Sequence, residues 1–154
     1  MSADPWQFTP HFNLREFIRS DTARRENIDN TPDADQIEAL KSLCINVLEP
    51  LRVSIGNPVI ITSGYRCAAL NKAVGGVPDS AHTRGEAADI IVTGMTDDQL
   101  AVRINALGLE FDQLISEGSW THISYCEGGN RGQYLTATFE HGKAHYTLHS
   151  ELKA

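Results

Sequence analysis

The chain has 154 residues, 41% hydrophobic and 21% charged, a balance that predicts one globular domain rather than a disordered or fibrous chain. Its formal net charge of −7 argues against nucleic acid or an anionic membrane as a partner. No apolar run approaches the roughly 20 residues that span a bilayer, and the N-terminus lacks the pattern of a secretory signal. We therefore expect synthesis in the cytoplasm and no membrane insertion.

The first half of the chain alternates helical and strand patterns. Leu14, Phe17 and Ile18 have helical spacing after a possible Asn13 cap, so residues 1–32 are expected to be an ordered lead-in. Over residues 33–51 apolar positions recur every three or four residues, which predicts a long helix that Pro50 ends or bends. Strands are predicted over 59–62 and 87–92, with a short helix over 67–74 between them.

The second half begins with a capping box at residues 96–99, which predicts a helix ending near Gly108. Strands are predicted over 111–117 and 120–125, and a closing hairpin over 133–139 and 143–148. Short connections favour antiparallel pairing. We predict an α+β fold, a small, mostly antiparallel sheet covered by helices, in one domain over residues 1–154.

Candidate metal ligands lie in the stretch 80–89, Ser-Ala-His-Thr-Arg-Gly-Glu-Ala-Ala-Asp. It offers the imidazole of His82 and the carboxylate of Asp89, a combination that suits a catalytic zinc if a third ligand comes from elsewhere. His122 is the best third candidate. It lies in the middle of a predicted strand, where alternation allows its side chain to point inward.

A second group of histidines, His141, His145 and His149, is spaced by four residues near the end of the sequence. On a helix these side chains would share one face and could bind a metal. The residues around them have a strand pattern instead, which favours a structural role.

Together, these motifs resemble a known family. The pattern Ser80-x-His82-x-x-Gly85-x-Ala87-x-Asp89, followed by Trp120-x-His122, closely resembles the zinc peptidases of the D-alanyl-D-alanine carboxypeptidase family. The resemblance extends to the lead-in and to the segment Ile61-Thr62-Ser63-Gly64-Tyr65-Arg66, and is strongest with the compact, single-domain branch common in phages and prophages.

This resemblance implies a hedgehog/DD-peptidase-like fold and a zinc ion bound by His82, Asp89 and His122. It implies that the substrates are the stem peptides of bacterial peptidoglycan. Arg66 would contact the scissile carbonyl or the terminal carboxylate of the substrate. Ser80 would form a hydrogen bond within the site or to the substrate.

The general base is the point at which the sequence departs from the family pattern. Many relatives place a Glu or His three residues before the last zinc ligand, where this chain has Ser119. Glu117 is the nearest carboxylate, and we predict that it is the base. Strict alternation along one strand would put it opposite His122, unless a bulge at Gly118 restores a common face. Asp112, Glu86 or no base at all are the alternatives.

The expected function is zinc-dependent hydrolysis of an amide bond in stem peptides, by a D,D-carboxypeptidase or an L-alanyl-D-glutamate endopeptidase. The protein would act on the cell wall after release at lysis, or as part of a phage particle. The rival hypothesis is a catalytically silent phage binding or structural module that retains the fold, and the serine at position 119 favours it.

Overall fold

The structure is a computed structural model that describes residues 4–150. The lead-in forms a small hairpin and two short helices: β1 (Gln7–Thr9), β2 (Phe12–Asn13), α1 (Leu14–Ile18) and α2 (Asp21–Arg25). Asn13 caps α1 as predicted, since its side chain accepts a hydrogen bond from the Glu16 amide. Phe12 and Phe17 are fully buried. The lead-in therefore packs into the main hydrophobic core.

The long helix predicted over 33–51 consists of α3 (Ala34–Leu43), one π-helical turn (Cys44–Leu48) and α4 (Glu49–Ile55). Of the two predicted effects of Pro50, an end of the helix is excluded, because the helix continues for five residues beyond the proline. The Glu49 amide donates to the Cys44 carbonyl, five residues back, so the hydrogen-bond register changes just before the proline. Pro50 follows this π turn directly, at the second position of α4.

The remaining helices and strands follow the predicted order. They are β3 (Ile60–Ser63), α5 (Ala68–Ala73), a 3₁₀ turn (Ala81–Arg84), β4 (Ala87–Ile91), α6 (Asp97–Ala106), β5 (Gln113–Ser116), β6 (Thr121–Ser124), β7 (Gln133–Glu140) and β8 (Lys143–Ser150). The predicted capping box is present at the start of α6. The predicted hairpin turn is formed by His141 and Gly142, both with positive φ.

The main sheet has the strand order β3-β4-β6-β5-β7-β8. Every neighbouring pair is antiparallel except β5 and β7, which are parallel. One face carries apolar residues such as Ile90, Ile123 and Leu114, which belong to the same buried core as the α3–α4 helix and α6. The prediction of an α+β fold with a mostly antiparallel sheet covered by helices is confirmed.

On the opposite face, the strand register aligns one residue from each of the six strands. This site row runs Ser63, Asp89, His122, Ile115, Leu135, Leu148. A register shift in β3 brings Ser63, rather than Thr62, level with Asp89. The row therefore places two of the predicted metal ligands side by side on the two strands β4 and β6.

None of the helices within residues 4–150 is long and apolar enough to cross a membrane.

Candidate metal centre and active site

His82 reaches the sheet from the 3₁₀ turn that precedes β4. The Ser80 hydroxyl caps this turn by accepting a hydrogen bond from the His82 amide at 3.2 Å. The turn ends at Gly85, whose φ is +73° and whose added Cβ would lie 2.5 Å from the Gln36 carbonyl oxygen. Only glycine fits there, because both the backbone conformation and the close approach of α3 exclude a side chain. The motif's serine and glycine therefore shape the turn that presents His82.

His82, Asp89 and His122 converge on one point above the sheet. Asp89 Oδ1 lies 3.3 Å from His82 Nε2 and 3.0 Å from His122 Nδ1. Potential ligand atoms of the three residues all lie within 4.8 Å of one another, and within residues 4–150 they are the one group of three such residues that could hold a metal ion. The three side chains that the sequence predicts as ligands are thus brought together.

The donor set fits zinc. His82 Nδ1 lies 2.7 Å from the Gly64 carbonyl oxygen, so Nδ1 carries the proton and Nε2 is free to bind a metal. Burial lowers the pKa of His82, which keeps its imidazole neutral. Burial acts to raise the pKa of Asp89, but the hydrogen bonds from both histidines lower it well below its usual value. Two imidazoles and one carboxylate are a set used by catalytic zinc sites.

The Gly64 carbonyl that orients His82 is itself fixed by the lead-in. The next amide, Tyr65 N–H, donates to the Phe17 carbonyl at 2.7 Å. Asn30 Nδ2 donates to the carbonyls of Tyr65 and Ile18, both at 3.0 Å. These contacts were missed at the sequence level, because a backbone acceptor leaves no residue-type signal. Through these contacts the lead-in holds in place the carbonyl that orients His82.

Arg66 lies at the edge of the centre and is largely buried, with 15% of its side chain exposed. Its Nη2 is 3.4 Å from Asp89 Oδ2, and its Nε donates to the Ser63 hydroxyl at 3.0 Å. Nη1 donates to Asn71 Oδ1 at 3.2 Å, and Asn71 in turn donates to the Val77 carbonyl at 2.7 Å. The guanidinium is therefore held from three sides. Buried Asn71 is a contributor that the sequence analysis did not identify.

Glu117 lies on the same face of the sheet as His122. The expectation based on one continuous strand is corrected here, because the two residues lie on either side of a turn joining β5 and β6. Ile115 pairs directly with His122, and Glu117, two residues further on, points to the same side as Ile115. Gly118, with a φ of +96°, belongs to this turn rather than to a bulge within a strand.

The surroundings of Glu117 shift the pKa of its carboxyl above the usual value. Burial raises the pKa of its carboxyl, and the charge of Asp89 adds to this, whereas His122 and Arg66 act in the opposite direction. A carboxyl whose pKa is raised beside a candidate metal centre is typical of a catalytic group.

The two alternative carboxylates are engaged in ion pairs. Asp112 accepts from Arg131 Nε and Nη2, both at 2.8 Å, and these bonds lower the pKa of its carboxyl. Glu86 Oε1 lies 2.6 Å from Arg84 Nε. Asp112 also lines the cavity beside the metal centre, but its bidentate pair makes it a poor proton acceptor.

The second histidine group lies on the exposed β7–β8 hairpin. His141 occupies the turn, and His145 and His149 share one face of β8, with His149 Nε2 2.6 Å from the Thr136 hydroxyl. Within residues 4–150, no candidate metal group includes them. The prediction that these histidines lie in a strand hairpin rather than on a helix is therefore confirmed.

Two cavities meet at the metal centre. One, of about 710 Å³, includes Ser80, His82, Glu117 and His122 in its lining and extends to the β7–β8 hairpin. The other, of about 680 Å³, lies over β3 and the start of α2. Their shared lining residues are Arg66, Val74, Asp89 and Trp120. The indole of Trp120, two residues before His122, thus lies between them.

Comparison with known families agrees with this geometry. The family model described as Peptidase M15 matches residues 10–124, a span that contains all three ligand candidates together with Arg66, Ser80 and Glu117. A comparison with curated proteins gave no match. The matched span runs from the lead-in to the end of β6 and covers most of the chain. The chain therefore belongs to the peptidase M15 family, the zinc D-Ala-D-Ala carboxypeptidase family, and its fold is hedgehog/DD-peptidase-like.

Proposed function

We propose that this protein is a zinc peptidase that hydrolyses an amide bond in peptidoglycan stem peptides, and that residues 1–154 form one peptidase domain. The observation that carries the proposal is the convergence of His82, Asp89 and His122 within 4.8 Å. Membership of a family of zinc-dependent peptidases supports it.

In the proposed site, His82 through Nε2, Asp89 through its carboxylate and His122 through Nδ1 hold the zinc. A zinc ion bound by such a set acidifies a water molecule and polarises a carbonyl group. The Gly64 carbonyl also orients the imidazole of His82, so that its Nε2 points into the site before a metal binds.

Glu117 is proposed as the general base. It shares a sheet face with His122, and burial raises the pKa of its carboxyl, the direction in which catalytic bases are commonly shifted. It would accept a proton from the attacking water and deliver a proton to the leaving amine. In this proposal no base is needed at position 119, because Glu117 lies on the same face of the sheet as His122.

Arg66 is proposed to stabilise the oxyanion that develops on the scissile carbonyl. Its guanidinium is fixed by Ser63, Asn71 and Asp89, so its charge is in place before the substrate arrives. The carboxylate of Asp89, 3.4 Å away, partly neutralises the charge of Arg66. If that carboxylate bound a metal, it would attract Arg66 less, and the guanidinium would interact more strongly with the substrate. Ser80 acts within the site by capping the turn of His82.

The test is hydrolysis of purified muropeptides by the zinc-loaded protein. We expect Glu117→Gln to lose about 100-fold or more in kcat while it retains its zinc, since a general base contributes about 10²–10⁴-fold. Glu127→Gln, a change at an exposed carboxylate that lines neither cavity, is the matched control and should keep full activity. Unchanged kcat in Glu117→Gln would remove this residue from the mechanism.

We further propose a role in lysis of a bacterial host by a phage or prophage, with action on the wall after release from the cytoplasm. The second candidate function is a catalytically silent wall-binding or particle component, and the serine at position 119 is the observation that favours it. Wall binding by zinc-loaded protein without any cleavage product would support that alternative.

A further inference from the structure

The cleft at the metal centre extends across the sheet in both directions. We propose that it holds peptide on both sides of the scissile bond, so that the enzyme is an endopeptidase rather than a carboxypeptidase. This inference rests on the proposed function and specifies the position of the bond that is cut.

The first argument comes from the site row. Its second and third members are the ligand candidates Asp89 and His122, with Ser63 on one side and Ile115, Leu135 and Leu148 on the other. The centre is therefore flanked by sheet surface both towards the edge strand β3 and towards the hairpin. A carboxypeptidase needs room for an extended peptide on one side only.

The second argument comes from the two cavities, here called the β3 arm (about 680 Å³) and the hairpin arm (about 710 Å³). Both lie within the range of about 300–1,000 Å³ that is usual for small-molecule sites. Each has an exposed residue in its lining, since Ile60 in the β3 arm is 39% exposed and Tyr146 in the hairpin arm is 54% exposed. Both arms thus reach solvent, and a chain can continue beyond either.

The third argument is charge. A carboxypeptidase needs a spare cation to bind the terminal carboxylate of its substrate. The β3 arm has two arginines and two aspartates in its lining, namely Arg19, Arg66, Asp21 and Asp89. The hairpin arm has three arginines against four carboxylates, namely Arg66, Arg84, Arg131, Asp79, Asp89, Asp112 and Glu117. Apart from the metal itself, the hairpin arm therefore has no excess of positive charge, whereas in the β3 arm Asp21 already pairs with Arg24 at 2.9 Å and does not count against Arg19.

The arginines of the hairpin arm are also occupied. Arg131 forms its bidentate pair with Asp112. Arg84 is bound to Glu86 at 2.6 Å and to the Asp79 carbonyl at 2.7 Å. An arm in which each guanidinium already has an oxygen partner is better suited to a neutral peptide backbone than to a free carboxylate.

The hairpin supplies the far wall of its arm. Tyr146 pairs with Ala137, two residues after Leu135, so Tyr146 and Leu135 lie on the site face. Both line the cavity, and the hairpin lies after the residues matched by the family. An exposed aromatic ring beside a catalytic cleft offers a flat apolar surface for a peptide at small entropic cost. Tyr146 is therefore a specificity-determining residue in this proposal.

The first experiment is digestion of a purified disaccharide pentapeptide by the zinc-loaded full chain, with the products identified by mass spectrometry. We expect cleavage at an internal amide, which releases a peptide of at least two residues. Release of the terminal D-alanine alone would overturn the endopeptidase inference and leave the peptidase function standing. No cleavage by zinc-loaded protein would overturn the proposed function itself.

The second experiment perturbs each arm separately. Tyr146→Ala and Ile60→Ala are each expected to raise KM for the pentapeptide about threefold to tenfold with the zinc content unchanged. His145→Ala, on the opposite face of β8, and Val53→Ala, an exposed apolar position on α4, are the matched controls and should leave KM unchanged. A response from only one arm, or from neither, would contradict a substrate that occupies both.

Discussion

Gly64→Ala perturbs the contact between the lead-in and the metal centre. A Cβ added at Gly64 would lie 2.6 Å from both Cα and O of Phe17, and 2.8 Å from its Cβ. The nearest atoms belong to the backbone of α1, which is tied down by the bond from Tyr65 N–H to the Phe17 carbonyl. The clash therefore cannot be relieved by rotation of a side chain. We expect a loss of about 2–4 kcal/mol in the free energy of unfolding.

The same substitution should also weaken zinc binding in the protein that remains folded. A displaced Gly64 carbonyl no longer fixes the Nδ1 proton of His82, and loss of such an outer partner typically lowers metal affinity about 10–100-fold. Urea denaturation of the metal-free protein measures the first effect, and competition with a zinc chelator measures the second. Gly129→Ala is the control, because its Cβ would meet only Cys126 Sγ, at 3.7 Å.

Stability within about 0.5 kcal/mol of the wild type, together with unchanged zinc affinity, would refute this reasoning. A large loss of stability with normal zinc affinity would support the packing argument but contradict the role of the Gly64 carbonyl in orienting His82.

Two further predictions concern the groups around the centre. Asn71→Ala removes the buried amide that holds Arg66, so we expect a lower kcat with the zinc content retained. It should also lower the free energy of unfolding by about 1–3 kcal/mol. Steady-state kinetics measure the first effect and urea unfolding the second. Arg131 lowers the pKa of Asp112 in the folded state. The ion pair therefore stabilises the folded protein fully above the unfolded-state pKa of about 4, and this stabilisation is lost as the pH falls through the folded-state pKa. Asp112→Asn should therefore flatten the loss of stability below about pH 4 in acid unfolding, and an unchanged acid slope would contradict this account.

The elements that carry periodic patterns or caps were predictable from the sequence. Apolar spacing indicated the helix from Asp33, the capping box at Thr96 marked the start of α6, and the His-Gly pair marked the last turn. The continuation of the helix past Pro50 was not predictable, because a π turn leaves no distinct composition signal.

For the site, the sequence indicated which residues are candidate ligands, but not how all of the side chains around them are arranged. Imidazole and carboxylate side chains in a specific pattern pointed to His82, Asp89 and His122, which the fold brings together. The relation of Glu117 to His122 was misjudged, since it depends on where β5 ends and the turn begins rather than on residue type. The Gly64 carbonyl could not be found from the sequence, because any residue at that position has a backbone carbonyl.

Zinc stoichiometry is the most direct measurement of the central claim that His82, Asp89 and His122 form one metal centre. Purified wild type, His82→Ala, Asp89→Ala, His122→Ala and the control His145→Ala would be loaded with zinc, dialysed and analysed by elemental mass spectrometry. We predict about one equivalent in the wild type and the control, and less than about a tenth in each ligand variant that remains folded by circular dichroism. A full equivalent of zinc in folded His82→Ala, with no change in affinity, would contradict the account.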